Sequence, residues 1–169
     1  MTEVILVNAN DVEKGAIDKL EAHKKGLLHR AISVCVFHPD GHVMLQKRAA
    51  GKYHSAGLWS NTCCSHPKPG EVTHAAALRR LKEEMGIVCE LSEIGTFIYR
   101  TEFHNGLIEH ELDHVFMGIS DSQPSPDPNE VEDWKWMDIT KLQKDISENS
   151  HAYAYWFSRA LELALKTRM

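Results

Sequence analysis

Short apolar runs and turn-forming residues alternate along this chain at a spacing that predicts strands paired in hairpins, with a few helices between them. Val4 to Val7 is a short strand candidate. Asn8-Ala9-Asn10-Asp11 follows as a turn, its side chains suited to bonding their own backbone. Gly15 to Asp18 leads into a short helical or irregular piece at Lys19 to His23, broken by Lys24-Lys25-Gly26. Ala31 to Phe37 is rich in β-branched residues and predicts a central strand. Pro39-Asp40-Gly41 marks a hairpin turn, and His42 to Arg48 is the partner strand. Gly51 to Gly57 has no periodicity and reads as a loop.

From Thr73 the period changes to that of a helix, running to Met85 and stopped by Gly86. Thr73 is a credible N-cap. Ala77, Leu78, Leu81 and Met85 fall on the apolar face, and Glu84 lies at its margin, one turn after Arg80. Arg79 and Lys82 are expected to point to water. Ile94 to Phe103 and Leu107 to Met117 read as two strands joined by an Asn105-Gly106 turn. Alternation sets Glu109, Glu111 and Asp113 on one face of the second strand, with His110, Leu112 and His114 on the other. Three acids in a row repel unless they are solvated or hold a cation. A solvated edge-strand face is one reading, and a cation site is the other.

Gln123 to Pro128 is a surface loop, and Glu130 to Met137 a strand with Trp134 and Trp136 on one face. Asp138 caps a short helix through Leu142, and His151 to Lys166 is a final helix carrying Tyr153, Tyr155, Trp156 and Phe157. Hairpin strands with helices interspersed predict an α+β fold, a mixed-sheet sandwich. The 169 residues fit one domain with a real core.

Composition narrows the function. Hydrophobic content of 43% and charged content of 25% are those of an ordinary globular protein. A net charge of −5 argues against a general nucleic-acid binder. No run is long enough to span a membrane. Four cysteines without a secretory leader suggest a reducing, cytoplasmic compartment.

The candidate chemistry centres on Asn61-Thr62-Cys63-Cys64-Ser65-His66-Pro67, where two thiols and an imidazole sit together. Such a cluster suits a metal site, a nucleophile or a proton-transferring thiol. A disulfide between the adjacent Cys63 and Cys64 would need a strained ring and is discounted. His23, His29 and His66, with Glu109 and Glu111, offer nitrogen and carboxylate donors to a cation such as manganese or zinc. Lys19, Arg48, Lys52 and Arg80, together with Glu84 holding magnesium, could clamp a diphosphate.

The Asn61 to Pro67 stretch, then Arg79-Arg80-Leu81-Lys82-Glu83-Glu84-Met85-Gly86, then Glu109-His110-Glu111, resemble the type I isopentenyl-diphosphate isomerases. The likeness runs in order from Lys19 to Trp156. That family has the Nudix fold, which implies a single domain over 1–169: a core at 30–140, an N-terminal lid at 1–29 and a C-terminal helix at 150–169. Glu71, Arg79, Glu83, Glu84 and Gly86 match the Nudix signature. Ser65 stands where the signature has Gly, and Arg80 where it has a Glu. A cation in place of that carboxylate favours holding a diphosphate intact over hydrolysing it.

Position by position, the resemblance implies a tightly bound Mn²⁺ or Zn²⁺ on His23, His29, His66, Glu109 and Glu111. It implies a Mg²⁺ that reaches Glu84 and the backbone carbonyl of Cys64 and accompanies the diphosphate. Lys19, Arg48, Lys52 and Arg80 would neutralise that diphosphate. Cys64 and Glu111 would transfer protons with help from Tyr99, and Trp156 would lie against the hydrocarbon end. The partner implied is a small allylic or homoallylic diphosphate substrate, with no nucleic acid and no membrane, and the protein is expected to be a monomer or weak homodimer. The activity implied is a shift of a C=C bond between isopentenyl and dimethylallyl diphosphate in isoprenoid biosynthesis. A Nudix pyrophosphohydrolase and a non-catalytic metal-binding domain are the competing readings.

Overall fold

The structure, a computed structural model, describes residues 2–52 and 54–168. Tyr53, inside the expected loop, and Met1 and Met169, at the limits of the expected domain, lie outside the described residues. The strands are β1 (Glu3–Val7), β2 (Glu13–Asp18), β3 (His29–Phe37), β4 (Val43–Arg48), β5 (Trp59–Ser60), β6 (Cys63–Ser65), β7 (Ser92–Glu102), β8 (Ile108–Ile119) and β9 (Val131–Met137). The helices are α1 (Lys19–Lys25), α2 (Thr73–Met85), α3 (Ile139–Glu148) and α4 (Phe157–Arg168). No described helix is long and apolar enough to cross a membrane.

β3 organises the sheet. It runs parallel to β8 from His29 opposite Glu111 to Phe37 opposite Ile119. On its other side it pairs antiparallel with β6, Ser33 opposite Cys64. β7 pairs along β8, with Tyr99 opposite Glu111. A second group, β9–β4–β5, meets β3 at the Phe37–Val43 pair. The hydrophobic run of β3 follows from burial on both faces. Ile32, Val34 and Val36 pack under Ala77, Leu81 and Met85 of α2. Cys35 and Phe37 pack against Leu142, Phe157 and Leu161. This is the α+β mixed sheet with flanking helices that the strand pattern predicts.

Several expectations need correction. Residues 13–18 are a full strand paired with β1, because an antiparallel partner supplies what the weak local pattern lacks. Thr73 is the first residue of α2 and not its cap; Val72 holds the cap position without a side-chain hydrogen bond. Arg79 does not simply point to water. It donates twice to Glu71, at 2.8 and 2.9 Å, and also to Glu83 at 3.0 Å. The helix after Asp138 continues to Glu148, and Asp138 caps it by accepting from the Lys141 N–H. The last helix begins only at Phe157. A short 3-10 turn at Ser150–Ala152, a bridge residue at Tyr153 and a turn at Tyr155 and Trp156 precede it, so none of these three aromatics is helical. The acidic face of β8 is no solvated edge: β8 lies between β3 and β7, and Glu109, Glu111 and Asp113 are all buried.

α1 is short and depends on its ends. Asp18 accepts hydrogen bonds from the backbone N–H groups of Leu20 and Glu21. Gly26 closes the helix in the left-handed region at φ 68, with its N–H on the Ala22 carbonyl. A Cβ there would also lie 3.1 Å from the Ile108 side chain of β8. Gly26→Ala is therefore expected to cost about 1–2 kcal/mol in urea unfolding. Gly51→Ala, with open space around it and no positive φ, should fall within about 0.5 kcal/mol of the parent. Equal stability of the two variants would contradict this account of α1.

Candidate active site

Register across three strands assembles the centre of the site. Tyr99 on β7, Glu111 on β8 and His29 on β3 are paired in neighbouring ladders and share one face. Glu109 sits one step along the same face. The Tyr99 hydroxyl lies 2.6 Å from Glu109 Oε1 and 2.6 Å from Glu111 Oε1. It has one proton for two carboxylates. α1 brings His23, and the segment after β6 brings His66. Among the described residues, His23, His29 and Glu111 offer donor atoms within 4.8 Å of one another, and so do His23, His54 and Glu109.

Backbone hydrogen bonds orient two of the imidazoles. His23 Nδ1 donates to the Lys19 carbonyl at 2.7 Å, and His29 Nδ1 to the Leu27 carbonyl at 2.9 Å. A carbonyl only accepts, so each Nδ1 carries a proton and each Nε2 turns inward, as a lone pair on a neutral ring or as a second N–H on a charged one. Burial opposes the charged form of His29, but the Glu111 carboxylate outweighs it and raises the ring's value. Inward, His29 Nε2 meets Glu111 Oε2 at 3.0 Å, and His23 Nε2 faces Glu109 Oε2 at 3.7 Å. The buried carboxylates facing these nitrogens need positive charge, carried by the rings or by a cation between ring and carboxylate. Imidazole and carboxylate donors of this kind fit a borderline divalent metal such as zinc or manganese.

Electrostatics separates the two carboxylates' fate from that of their neighbours. Burial opposes ionisation of Glu111, but His66 and His29 outweigh it and hold the carboxyl well below the usual range. Glu109 is also lowered: burial and Glu111 oppose this, and His23 and His54 drive it. Burial pushes His66 down to about 4. Asp113 goes the other way. Burial raises its carboxyl well above the ordinary value, despite a 2.6 Å hydrogen bond from Ser33.

Cys64 and Glu111 open onto one cavity of about 290 Å³, which Tyr99 and Trp156 also line. Cys64 packs beside Phe97, Tyr99 and Trp156. Burial pushes its thiol up to about 12, and the Arg48 guanidinium, 3.6 Å from the sulfur, acts against the rise. Asn61 fixes the floor. Its amide nitrogen donates to the carbonyls of Val34 and Cys63, and its oxygen accepts from Trp156 Nε1 at 3.0 Å.

The polar end of the cavity is lined by Lys19, Arg48, Lys52 and Arg80. Lys19 is shifted down by burial and then by Lys52. Glu84, buried on α2, accepts from Arg80 Nη2 at 2.9 Å and from Gln46 at 3.0 Å, and burial raises its carboxyl. Glu130 closes this end, bonded to Lys52 and 3.5 Å from Arg80.

Of the residues singled out from the sequence, Lys19, Arg48, Lys52, Cys64, His66, Arg80, Tyr99, Glu109, Glu111 and Trp156 line this cavity. His23, His29 and Glu84 are buried outside its lining, the two imidazoles facing Glu109 and Glu111, and Glu84 bonded to Arg80. His54, Asn61, Asp113 and Glu130 were not foreseen as site residues. The alternation of β8 already set Asp113 beside Glu109 and Glu111. Asn61 belonged to the thiol–imidazole stretch. His54 and Glu130 carried no local signal, because a loop residue and a turn residue ahead of β9 reveal nothing until the sheet places them.

Residues 27–157 match the NUDIX domain model. The chain is 52% identical to isopentenyl-diphosphate Delta-isomerase 2 of Aromatoleum aromaticum over 98% of this chain and 88% of that relative. It is 49% identical to the isopentenyl-diphosphate Delta-isomerase of Pectobacterium atrosepticum over 93% of this chain and 88% of that relative. A crystal structure from Deinococcus radiodurans superposes with TM-score 0.78 at 17% identity, covering 95% of this chain and 98% of that one. A MutT protein from Methanosarcina mazei gives TM-score 0.67 at 15% identity over 84% and 96%. These two show likeness of fold.

The raised thiol has a direct consequence. With its value near 12, Cys64 stays protonated between pH 7 and 9. At pH 8 its alkylation by iodoacetamide, followed by peptide mass spectrometry, should be on the order of a thousandfold slower than that of an ordinary thiol. The rate should still climb with pH above 9. A plateau below pH 8 would mean that the thiolate is stabilised.

Proposed function

Because this chain belongs to the isopentenyl-diphosphate Delta-isomerases, within the NUDIX fold family, we propose that it interconverts isopentenyl and dimethylallyl diphosphate in isoprenoid biosynthesis, as an intramolecular isomerase. The observation that carries the mechanism is the single cavity shared by the Cys64 thiol, the Glu111 carboxylate and a basic end.

The reaction moves a double bond in an alkene with no activating group. A proton adds to the terminal alkene carbon, the neighbouring carbon becomes a tertiary cation, and a proton leaves the carbon on its other side. One acid, one base and a dry wall are required. Cys64, held as a neutral thiol by burial, is suited to give a proton and take it back. Glu111, held ionised, is suited to the complementary transfer, with Tyr99 sharing its proton. Trp156 and Tyr99 supply π faces to the cationic carbon, worth roughly 2 kcal/mol when desolvated. Asn61 keeps the Trp156 ring in place.

Lys19, Arg48, Lys52 and Arg80 would hold the diphosphate, and Glu84 with the Cys64 carbonyl would hold the magnesium that accompanies it. His23, His29, His66, Glu109 and Glu111 would hold a tightly bound manganese or zinc. When bound, that ion supplies the positive charge that keeps Glu111 ionised and fixed. Glu130 gives the basic end a counter-charge that the diphosphate has to displace.

The test is an assay with isopentenyl diphosphate and Mg²⁺ in heavy water. Expected are dimethylallyl diphosphate, deuterium in the recovered substrate, no released phosphate, and loss of turnover with chelator. Cys64→Ala and Glu111→Gln should each lower kcat by about 10²–10⁴ or more. Phosphate release with indifference to Cys64 would instead identify a hydrolase.

A further inference from the structure

We propose that His54 is a direct ligand of the metal held by the His/Glu cluster, so that the donor set comprises four imidazoles and two carboxylates. This inference rests on the reading of that cluster as a cation site. His54 comes from the segment between β4 and β5, whereas the other donors come from α1, β3, β8 and the residue after β6. Its Nε2 lies 2.8 Å from Glu109 Oε2, and it completes a buried triad with His23 and Glu109. The second triad, His23, His29 and Glu111, has His23 in common with the first. Without His54, Glu109 would face one imidazole, while Glu111 faces both His29 and His66. With it, each carboxylate is matched by two.

The local structure holds the ring in that pose. His54 is only 8% exposed. It stacks on Phe103 at 5.1 Å and on His23 at 5.4 Å, nearly parallel to both. Its Nδ1 lies 3.3 Å from Ser55 Oγ, which leaves Nε2 directed inward as in His23 and His29. Ser55 itself sits in the left-handed region at φ 53, a conformation that a non-glycine residue adopts at a cost. Arg48 fastens the segment from the strand side: its N–H donates to Leu58 O at 2.8 Å, its carbonyl accepts from Gly57, and its guanidinium donates to His54 O. A loop strained and pinned in this way delivers one imidazole to one point. Six nitrogen and oxygen donors suit a six-coordinate ion better than a four-coordinate structural zinc site.

The decisive experiment is anomalous diffraction from crystals of the full-length protein loaded with Mn²⁺ or Zn²⁺. It is paired with chelator competition on the wild type, His54→Ala and His54→Gln. Direct ligation predicts a metal peak about 2.0–2.3 Å from His54 Nε2. It also predicts at least a tenfold weaker affinity in both variants, with the far-ultraviolet dichroism of the metal-free proteins unchanged. A peak ringed by the other donors, with His54 Nε2 beyond about 3 Å, overturns the inference. So does an unchanged affinity in the variants. A distant His54 with weakened affinity would make it a positioning residue for Glu109 and would equally overturn direct ligation. Failure of the wild type to bind either ion would reject the underlying metal reading, which the diffraction and competition data separate from failure of His54 alone.

Discussion

Two carboxylates share one phenol in the interior of this protein, and much of the architecture answers that fact. Glu109 and Glu111 both reach the Tyr99 hydroxyl at 2.6 Å. Like charges about 5 Å apart repel by about 3 kcal/mol even at an effective dielectric near 20. A lone phenolic proton cannot offset that together with the cost of burial. The surrounding imidazoles supply part of the remainder, and the inward nitrogens of His23 and His29 stand where a divalent cation could supply the rest.

The sheet exists in the form needed to hold that balance. The parallel β3–β8 ladder sets His29 against Glu111, and the antiparallel β7–β8 ladder sets Tyr99 against the same residue. A one-residue slip of β8 would turn His110 and Leu112 into the cavity and send both carboxylates to the other face. On the other side of β3, β6 places Cys64 opposite Ser33. The thiol and the carboxylate therefore open onto one cavity from different strands. Burial keeps the first neutral, while the imidazoles keep the second charged. Two groups with protonation states driven apart in this way are what an alkene isomerisation asks of its site.

Much of the fold could be read from local pattern, and the exceptions share a cause. The β3 run, the α2 period and the Asn105-Gly106 turn declare themselves because each is decided by neighbours in sequence. β2 does not, because Glu13-Lys14-Gly15-Ala16 carries no apolar alternation and its strand rests on pairing with β1; β5 and β6, of two and three residues, are too short to show a period. The same division holds at the site. Glu109 and Glu111 stand out by alternation, and Cys64 and His66 by their crowding. His54 and Glu130 become visible only when tertiary structure carries a loop and a turn to the cavity. Arg79 looked solvent-facing on its helix because Glu71, its principal partner, lies outside that helix.

The most direct measurement of the central claim is thermal unfolding of chelator-stripped protein with and without added Mn²⁺ or Zn²⁺. A ligand at a hundred times its dissociation constant adds about 2.7 kcal/mol to the native state. For a domain of this size that corresponds to a rise in Tm of roughly 5–10 °C. A rise of that order, abolished by Glu109→Gln together with Glu111→Gln, is the expected result. Superimposable melting curves, with no ion retained after gel filtration, would mean that the buried carboxylates are balanced by protons alone.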